Sequence, residues 1–518
     1  MSVMPYRSLS FHHGYPDHDL MRLGARLGFN DVCFQTENGL LQPLESLWIR
    51  ANRSGYFKLI KELGMTVSVW VHELEDYDPS WGAVGIRNGT LWRRLSERYR
   101  RILTQQLPEI DFLVLTVVET QIRVTDSGLL RRLVEVLRQE CARADKRLIL
   151  RSFVWHPEEL DGVREAIEGM PDDVWVMTKC VPQDWHLRSI HDPLLGNVAG
   201  KTQIVEVDIA GEYFRNDHVA NCFADILFRQ FAHWKRCRCG GVSVRVDRGA
   251  SPWSHQNTVL GEAQEANLWA LGAWSTGLAA DVETPLLQYA RHTFGEKAAP
   301  RMVEALRPTG ELIAEALCVG EETFCDTRRA VPGVQTMGTD PHVKAVPYED
   351  EEDNLGRNPF ARNWSVWRWD SSRLPAYRKM RRGDPQTIGT KTESYRKAVA
   401  VAGESLRAID EAAPDLPENA CSFFRFKLEE NEFHLRAMCE IELAWLKAER
   451  RLYTSCGEER GRLRLEVERH LHTLEDLEKR TGESLTVHWL GRYRHLKRGA
   501  YLDLPVFTKS FRRYFAFD

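Results

Sequence analysis

Short apolar runs alternate with longer amphipathic stretches from residue 6 to about 300. The runs are YRSLSFHH (6–13), NDVCFQTE (30–37), MTVSVWVHE (65–73), DFLVLTVVE (111–119), RLILRSFVW (147–155), VWVMTKC (174–180), QIVEVDI (203–209) and GVSVRVD (241–247). Most are close to continuously apolar, as strands buried on both faces of a parallel sheet should be. Between them lie DLMRLGARLG, GYFKLIKELG, LWRRLSERYRRILTQQL, SGLLRRLVEVLRQECARA and CFADILFRQFAHWKR, whose apolar positions recur at helical spacing. A further helix, LGEAQEANLWALGAWSTG, follows the last run. Gly28 and Gly64 stand where a helix should stop ahead of a strand. Strand and helix in repeated alternation, joined by right-handed crossovers, close into a (β/α)8 barrel of roughly 250–300 residues. An open doubly wound sheet would want a glycine-rich phosphate loop after the first strand, and FHHGYPDHD is not one.

Past residue 300 the strand runs vanish. FFRFKLEENEFHLRAMCEIELAWLKAERRLY (423–453) and EERGRLRLEVERHLHTLEDLEKR (458–480) read as long helices with faces to bury. The expected class is therefore α/β, a (β/α)8 barrel at 1–300 followed by a mainly helical domain at 376–518. An irregular connection at 301–375 contains YEDEEDN and RNWSVWRWD. Trp364, Trp367 and Trp369 in that connection suit either a sugar platform over the barrel mouth or a plug at a domain interface.

A barrel of this kind builds its active site at the C-terminal ends of its strands. Polar residues collect there. The first strand ends in His12 and His13, the second near Gln35 and Glu37, the third in His72 and Glu73, the fourth in Glu119 and the fifth in Trp155 and His156. The sixth carries Lys179 and leads to Asp184 and Arg188, the seventh leads to Glu212, and the eighth ends in Asp247 and Arg248. A single rim acid is ordinarily solvated or salt-bridged. A whole rim of them is harder to explain that way. Glu119 follows the uncharged run FLVLTVV, so its carboxyl should be partly desolvated and its pKa raised toward that of a general acid. Several acids around one rim suit glycoside hydrolysis, which needs one acid to protonate the leaving oxygen and a second carboxylate for water or sugar. Arg151, Lys179 and Arg188 among them could hold an anionic sugar, or each could pair with a neighbouring acid.

Composition narrows the alternatives. The chain has 518 residues, 43% hydrophobic and 28% charged, and a net charge of −4. That balance leaves no basic footprint for nucleic acid or a membrane surface. No apolar run reaches the roughly 18 residues of a membrane helix. MSVMPYRSLS has no basic segment followed by an apolar one, so a cytoplasmic location is expected. The 11 cysteines are odd in number and scattered, as in a reducing compartment. No H-E-x-x-H or H-x-H pair stands out at the strand ends, and neither a metal nor another cofactor is expected.

Residues 147–300 resemble the α-glucuronidases of glycoside hydrolase family 67. The family's motifs run Y-R-x-F-V-W, V-Q-x-K-N-G-P-x-D-F-Q-V-R-E-P-x-S-P-L-F-G and I-T-Q-E-Y. This chain reads LRSFVW, VWVMTKCVPQDWHLRSIHDPLLG and VDIAGEY in the same order. DFLVLTVVET looks like a drifted form of the family's V-K-A-D-S-E-G strand. The resemblance implies a general acid at Glu119 and an inverting pair, Asp184 and Glu212, around the attacking water. It implies uronate contacts at Arg151 and Lys179, and a homodimer through the C-terminal helices. The sequence departs from the family at Leu115, where a carboxylate-binding lysine is expected, at Cys180-Val181 for N-G and at Ala210-Gly211 for T-Q. The family's N-terminal β domain has no counterpart ahead of the first strand.

The expected function is therefore an exo-acting, inverting glycoside hydrolase that removes a terminal α-linked sugar, a uronic acid such as glucuronate favoured, from an oligosaccharide. Glu119, Asp184 and Glu212 would be catalytic, and Arg151, Lys179, Arg188, Trp155, Glu37 and His72 would bind substrate. A barrel that binds sugar without cleaving it and a metal-dependent isomerase or lyase are the other readings.

Overall fold

The computed structural model describes residues 3–11, 17–35, 55–74, 79–117, 125–154, 156–182, 187–198, 200–210, 219–247, 259–323, 366–490, 492–499, 504–515 and 517. Eight parallel strands close into a barrel in sequence order. They are β1 (Tyr6–Phe11), β2 (Asp31–Gln35), β3 (Thr66–His72), β4 (Phe112–Thr116), β5 (Arg147–Arg151), β6 (Trp175–Lys179), β7 (Gln203–Asp208) and β8 (Gly241–Arg245). Each lies within the apolar run expected for it. Closure is made by β8 against β1, with Tyr6 opposite Gly241.

Helices cover the barrel where the 3.6-residue pattern places them, at His18–Arg26, Tyr56–Glu62, Gly89–Arg101, Ser127–Arg143, Ala224–Arg236 and Glu265–Thr276, and a further helix, Leu160–Glu168, follows β5. Gly28 (φ +86°) and Gly64 (φ +69°) occupy the left-handed region just past a helix end, as a side-chain-free residue can without strain. The alternation has one exception. Between β6 and β7 the described residues form turns rather than a helix. That connection instead stays near the top of β6, where the N–H of Asp192 donates to the carbonyl of Cys180 at 3.3 Å.

After the barrel come Glu283–Phe294, Ala299–Leu306 and Thr309–Leu317, then Leu374–Arg381, Pro385–Ala412, Glu418–Tyr453, Gly457–Glu478 and Leu504–Phe515. From 376 on, the described residues are helical, as expected, apart from an antiparallel hairpin, Ser484–Trp489 with Arg492–Lys497. Its exposed face carries Ser484, Thr486 and His488, and its packed face includes the buried Arg494, so the sequence lacked the apolar run that betrays a barrel strand. The stretch expected to be irregular instead carries Thr309–Leu317, most of Ala299–Leu306 and the short antiparallel pair Cys318–Val319 with Glu322–Thr323. Glu418–Tyr453 is buried on every side along much of its length and packs against Thr309–Leu317, Pro385–Ala412 and Gly457–Glu478. One continuous core joins these helices to those of the barrel. Polar contacts pin the junction. Asn431 exchanges hydrogen bonds with the backbone of Ala220 at 2.8 Å in both directions. Glu262 pairs with Lys427 at 2.8 Å and with Arg494 at 3.3 Å. Among the described residues no helix is long and apolar enough to cross a membrane.

Lys391 is a fully buried charge of this region. Its ammonium lies 2.9 Å from Glu315 and 2.6 Å from Glu442. A Lys391→Met variant would leave Glu442 buried without its cation and Glu315 with Arg188 alone, at a cost of about 3–5 kcal/mol. Its thermal unfolding midpoint should fall clearly below that of the wild type; an unchanged midpoint would show that the cluster contributes no net stability.

Candidate functional site

Side chains alternate across a strand, so every second residue enters the barrel lumen. Tyr6, Cys33, Trp70, Val114, Ile149, Met177 and Ile204 form a core of their own there, separate from the core beneath the helices. Its N-terminal end is closed by rings. Tyr6, Phe112 and Trp175 meet with centroids 5.3, 5.9 and 5.4 Å apart, and Arg147 lies 4.4 Å above Trp175. At the same end Asp31 accepts hydrogen bonds from Tyr6, Ser8, Thr66 and Ser68. Burial still pushes its carboxyl up to about 6.

Further along β5 to β8 the lumen becomes charged. Arg151 on β5, Lys179 on β6, Glu206 and Asp208 on β7, Arg245 on β8 and Asp247 just beyond it are all buried. Three cations thus face three anions. Arg151 is held bidentately by Glu206, Nε to Oε2 at 2.6 Å and Nη2 to Oε1 at 3.1 Å. Its guanidinium also lies 4.4 Å from the ring of Trp70 and 4.7 Å from that of Phe153. Lys179 places its ammonium 3.5 Å from the centre of the Phe153 ring. His72 stacks along Trp70 at 6.5 Å. In the same layer, by register, the buried hydroxyls of Ser10, Thr116 and Ser243 make no hydrogen bond to the described residues. Buried hydroxyls are ordinarily satisfied, so these are exceptions to the rule.

Asp192, in the β6–β7 connection, is buried close enough to Lys179 to feel its charge. Desolvation nevertheless pushes its carboxyl up to about 7. Its Oδ1 accepts the N–H of Leu194 at 2.8 Å.

The residues expected from the sequence divide into three groups. His72, Arg151 and Lys179 line the lumen as anticipated, with the difference that Arg151 spends two of its nitrogens on Glu206. Arg188 is turned toward the C-terminal region: it pairs with Glu315 at 3.1 Å and with Glu311 at 3.9 Å. Glu119, Asp184, Glu212, Trp155 and Glu37, together with His12, His13, Arg248 and Trp364, lie outside the described residues. Glu73, the other acid at the end of β3, falls on the opposite parity from His72. It accepts a hydrogen bond from Tyr99 and lies 3.6 Å from Arg98, both on a covering helix. Leu115 likewise packs beneath the helices. A lysine there would not have reached the lumen, so this departure from family 67 says nothing about a sugar pocket.

Glu206, Asp208 and Arg245 were not singled out from the sequence. The signal was present: E-x-D in QIVEVDI and R-x-D in GVSVRVD put charges two residues apart inside otherwise apolar strands. Such spacing puts both charges on one face of a strand. Among the described residues no group of three or more His, Cys, Asp or Glu side chains is arranged to hold a metal ion.

No family model and no curated protein matches the chain. Solved structures do resemble it. One is a GH138 enzyme targeting pectin rhamnogalacturonan II, similar with a TM-score of 0.61 at 10% identity over 92% of this chain and 63% of that one. This chain thus spans less than two thirds of that enzyme's length. A family GH115 4-O-methyl-α-glucuronidase with specificity for decorated arabinogalactans has a TM-score of 0.46 at 12% identity, covering 92% of this chain and 59% of that one. An O-GlcNAc hydrolase mutant from Thermobaculum terrenum has a TM-score of 0.45 at 9% identity, covering 99% and 94%. At such identities the first likeness shows a shared fold. The class defined here is a closed (β/α)8 barrel with a charged lumen at its C-terminal end and a helical region packed behind it.

Two outcomes are expected of this charged lumen. Arg151→Met or Glu206→Leu alone strands a buried charge and should lower stability by about 3–5 kcal/mol, whereas the double variant should recover most of the loss. Urea titrations of the three variants check this; costs that simply add would show that the pair is uncoupled. Asp192 binds its proton more tightly folded than unfolded, so its contribution to stability falls as pH rises from about 4 through about 7. Thermal midpoints from pH 5 to 8 should therefore shift in favour of Asp192→Asn over wild type as pH rises, and a constant difference would contradict the raised pKa.

Proposed function

We propose that this chain is a glycoside hydrolase that works at the C-terminal mouth of the barrel. In this reading it is exo-acting and inverting, and it releases a terminal α-linked sugar, a uronic acid such as glucuronate favoured, from an oligosaccharide. The observation that carries the reading is the buried layer of Arg151, Lys179, Glu206, Asp208, Arg245 and Asp247 at the end of the barrel where such folds do chemistry. The fold likeness to a GH138 glycosidase and the family 67 motifs at residues 147–213 support the same reading.

In the proposed reaction the carboxylic acid of Glu119 gives its proton to the glycosidic oxygen as that bond to the anomeric carbon breaks. Water attacks the same carbon from the opposite face, and Asp184 and Glu212 orient it and accept its proton. An α-linkage then yields the β-anomer. Lys179 would hold the uronate carboxylate. Arg151, whose Nη1 makes no hydrogen bond to the described residues, would offer one further nitrogen. Glu206 fixes that nitrogen in place by gripping the other edge of the guanidinium. Desolvation by Phe153 and Trp70 strengthens both electrostatic contacts.

The test is a proton NMR time course with oligosaccharides bearing terminal α-linked glucuronate, galacturonate or a neutral sugar. The β-anomer should appear first, fastest from glucuronate. Glu119→Ala and Asp184→Ala should each cut turnover by about 10²–10⁴-fold with little change in thermal midpoint. First release of the α-anomer would overturn inversion, and near-full activity in either variant would overturn the catalytic assignment. Binding across the panel with no cleavage would favour a carbohydrate-binding barrel instead.

A further inference from the structure

Three buried polar groups beside the barrel make no hydrogen bond to the described residues: both oxygens of the Glu322 carboxylate, and the indole N–H groups of Trp367 and Trp369. Glu322 is only 3% exposed, and the two tryptophans are half-buried. Leaving a buried polar group unsatisfied costs about 1–3 kcal/mol, and more when it is charged. The three groups sit on touching elements. Glu322 belongs to the small antiparallel pair Cys318–Val319 with Glu322–Thr323. The single turn Val366–Arg368 packs against Glu322–Thr323. Asp370 and Arg373, just beyond that turn, act on Glu322 electrostatically. Burial outweighs the pull of Arg373 and pushes the Glu322 carboxyl up to about 7, so near neutrality it both donates and accepts hydrogen bonds.

Both elements are moored to loops at the barrel mouth. Arg188, in the connection after β6, donates to the carbonyl of Gly320 at 3.3 Å, in the turn just before Glu322. Arg368, between the two tryptophans, lies 3.4 Å from Glu158 in the loop after β5. Those two loops are the ones that carry Trp155 and Asp184 in sequence.

We propose that Glu322, Trp367 and Trp369 form a subsite for a neutral sugar residue of the same oligosaccharide, on the leaving-group side of the bond that is cut. This proposal rests on the glycosidase reading above. The chemistry of the three groups matches a pyranose. Its C–H faces stack on an indole, its ring and hydroxyl oxygens accept the indole N–H, and its hydroxyls donate to the carboxylate. A uronate at this subsite would set its own charge against that of Glu322. Selection is therefore for a neutral residue here and an acidic one over Lys179.

The test uses the full chain and three conservative variants, Glu322→Gln, Trp367→Phe and Trp369→Phe. The substrates are an aryl α-glucuronide and xylo- and galacto-tetrasaccharides ending in α-glucuronate. The variants should raise KM for the better tetrasaccharide about five- to tenfold while leaving kcat and the aryl glycoside unchanged and without lowering the thermal midpoint. An unchanged KM in all three overturns the subsite and leaves the glycosidase reading standing. If the wild type cleaves nothing, that reading fails by itself, and calorimetry with the neutral xylo- and galacto-trisaccharides decides. Binding that weakens in the variants supports the subsite; no binding, or equal binding, overturns it.

Discussion

Arg151 and Glu206 meet inside the barrel, away from water, and the rest of the lumen is arranged around them. Neither ion is tolerable there without the other, because a buried charge that loses its partner costs several kcal/mol. Two parallel N–H···O contacts satisfy both carboxylate oxygens, while Trp70 and Phe153 flank the guanidinium. The pair is a poor way to gain stability alone, since two apolar side chains would fill the space more cheaply. Its effect is to hold charge in a fixed position at the C-terminal end of the barrel.

That placement divides the lumen by depth. Below, Tyr6, Phe112 and Trp175 close the barrel, and Asp31 is fully served by hydroxyl donors, so this end is structural. Above, three cations and three anions share a layer with the hydroxyls of Ser10, Thr116 and Ser243. In the proposed reaction such a layer, carrying both signs of charge, would not repel an acidic sugar as an all-acid rim would, and would offer positive points to its carboxylate and negative points to its hydroxyl groups. The helical region behind the barrel completes the frame. Through Glu315 and Gly320 it takes Arg188 out of the lumen, leaving Lys179 and Arg151 as the cations on the β5 and β6 side.

The strands, most of their covering helices and the left-handed caps at Gly28 and Gly64 were legible because each depends on a local rule: apolar runs, helical spacing, freedom at positive φ. The turn-built β6–β7 connection and the charged hairpin at 484–497 escaped because neither carries such a pattern. Among site residues, those at strand ends stood out by position, whereas Glu206, Asp208 and Arg245 were hidden inside apolar runs.

The sequence by itself determined the eight strands, their order and the end of the barrel that collects polar side chains, since these follow from periodicity along a single segment. Only the tertiary structure decided which polar residues face one another. Parity sends Glu73 and Leu115 toward the helices and Glu206 toward the lumen. Contacts between positions far apart in the chain then give Arg151 to Glu206, and Arg188 to Glu315. No local pattern encodes such pairings, because they depend on how strands are staggered around a closed barrel and on what the C-terminal helices bring against it.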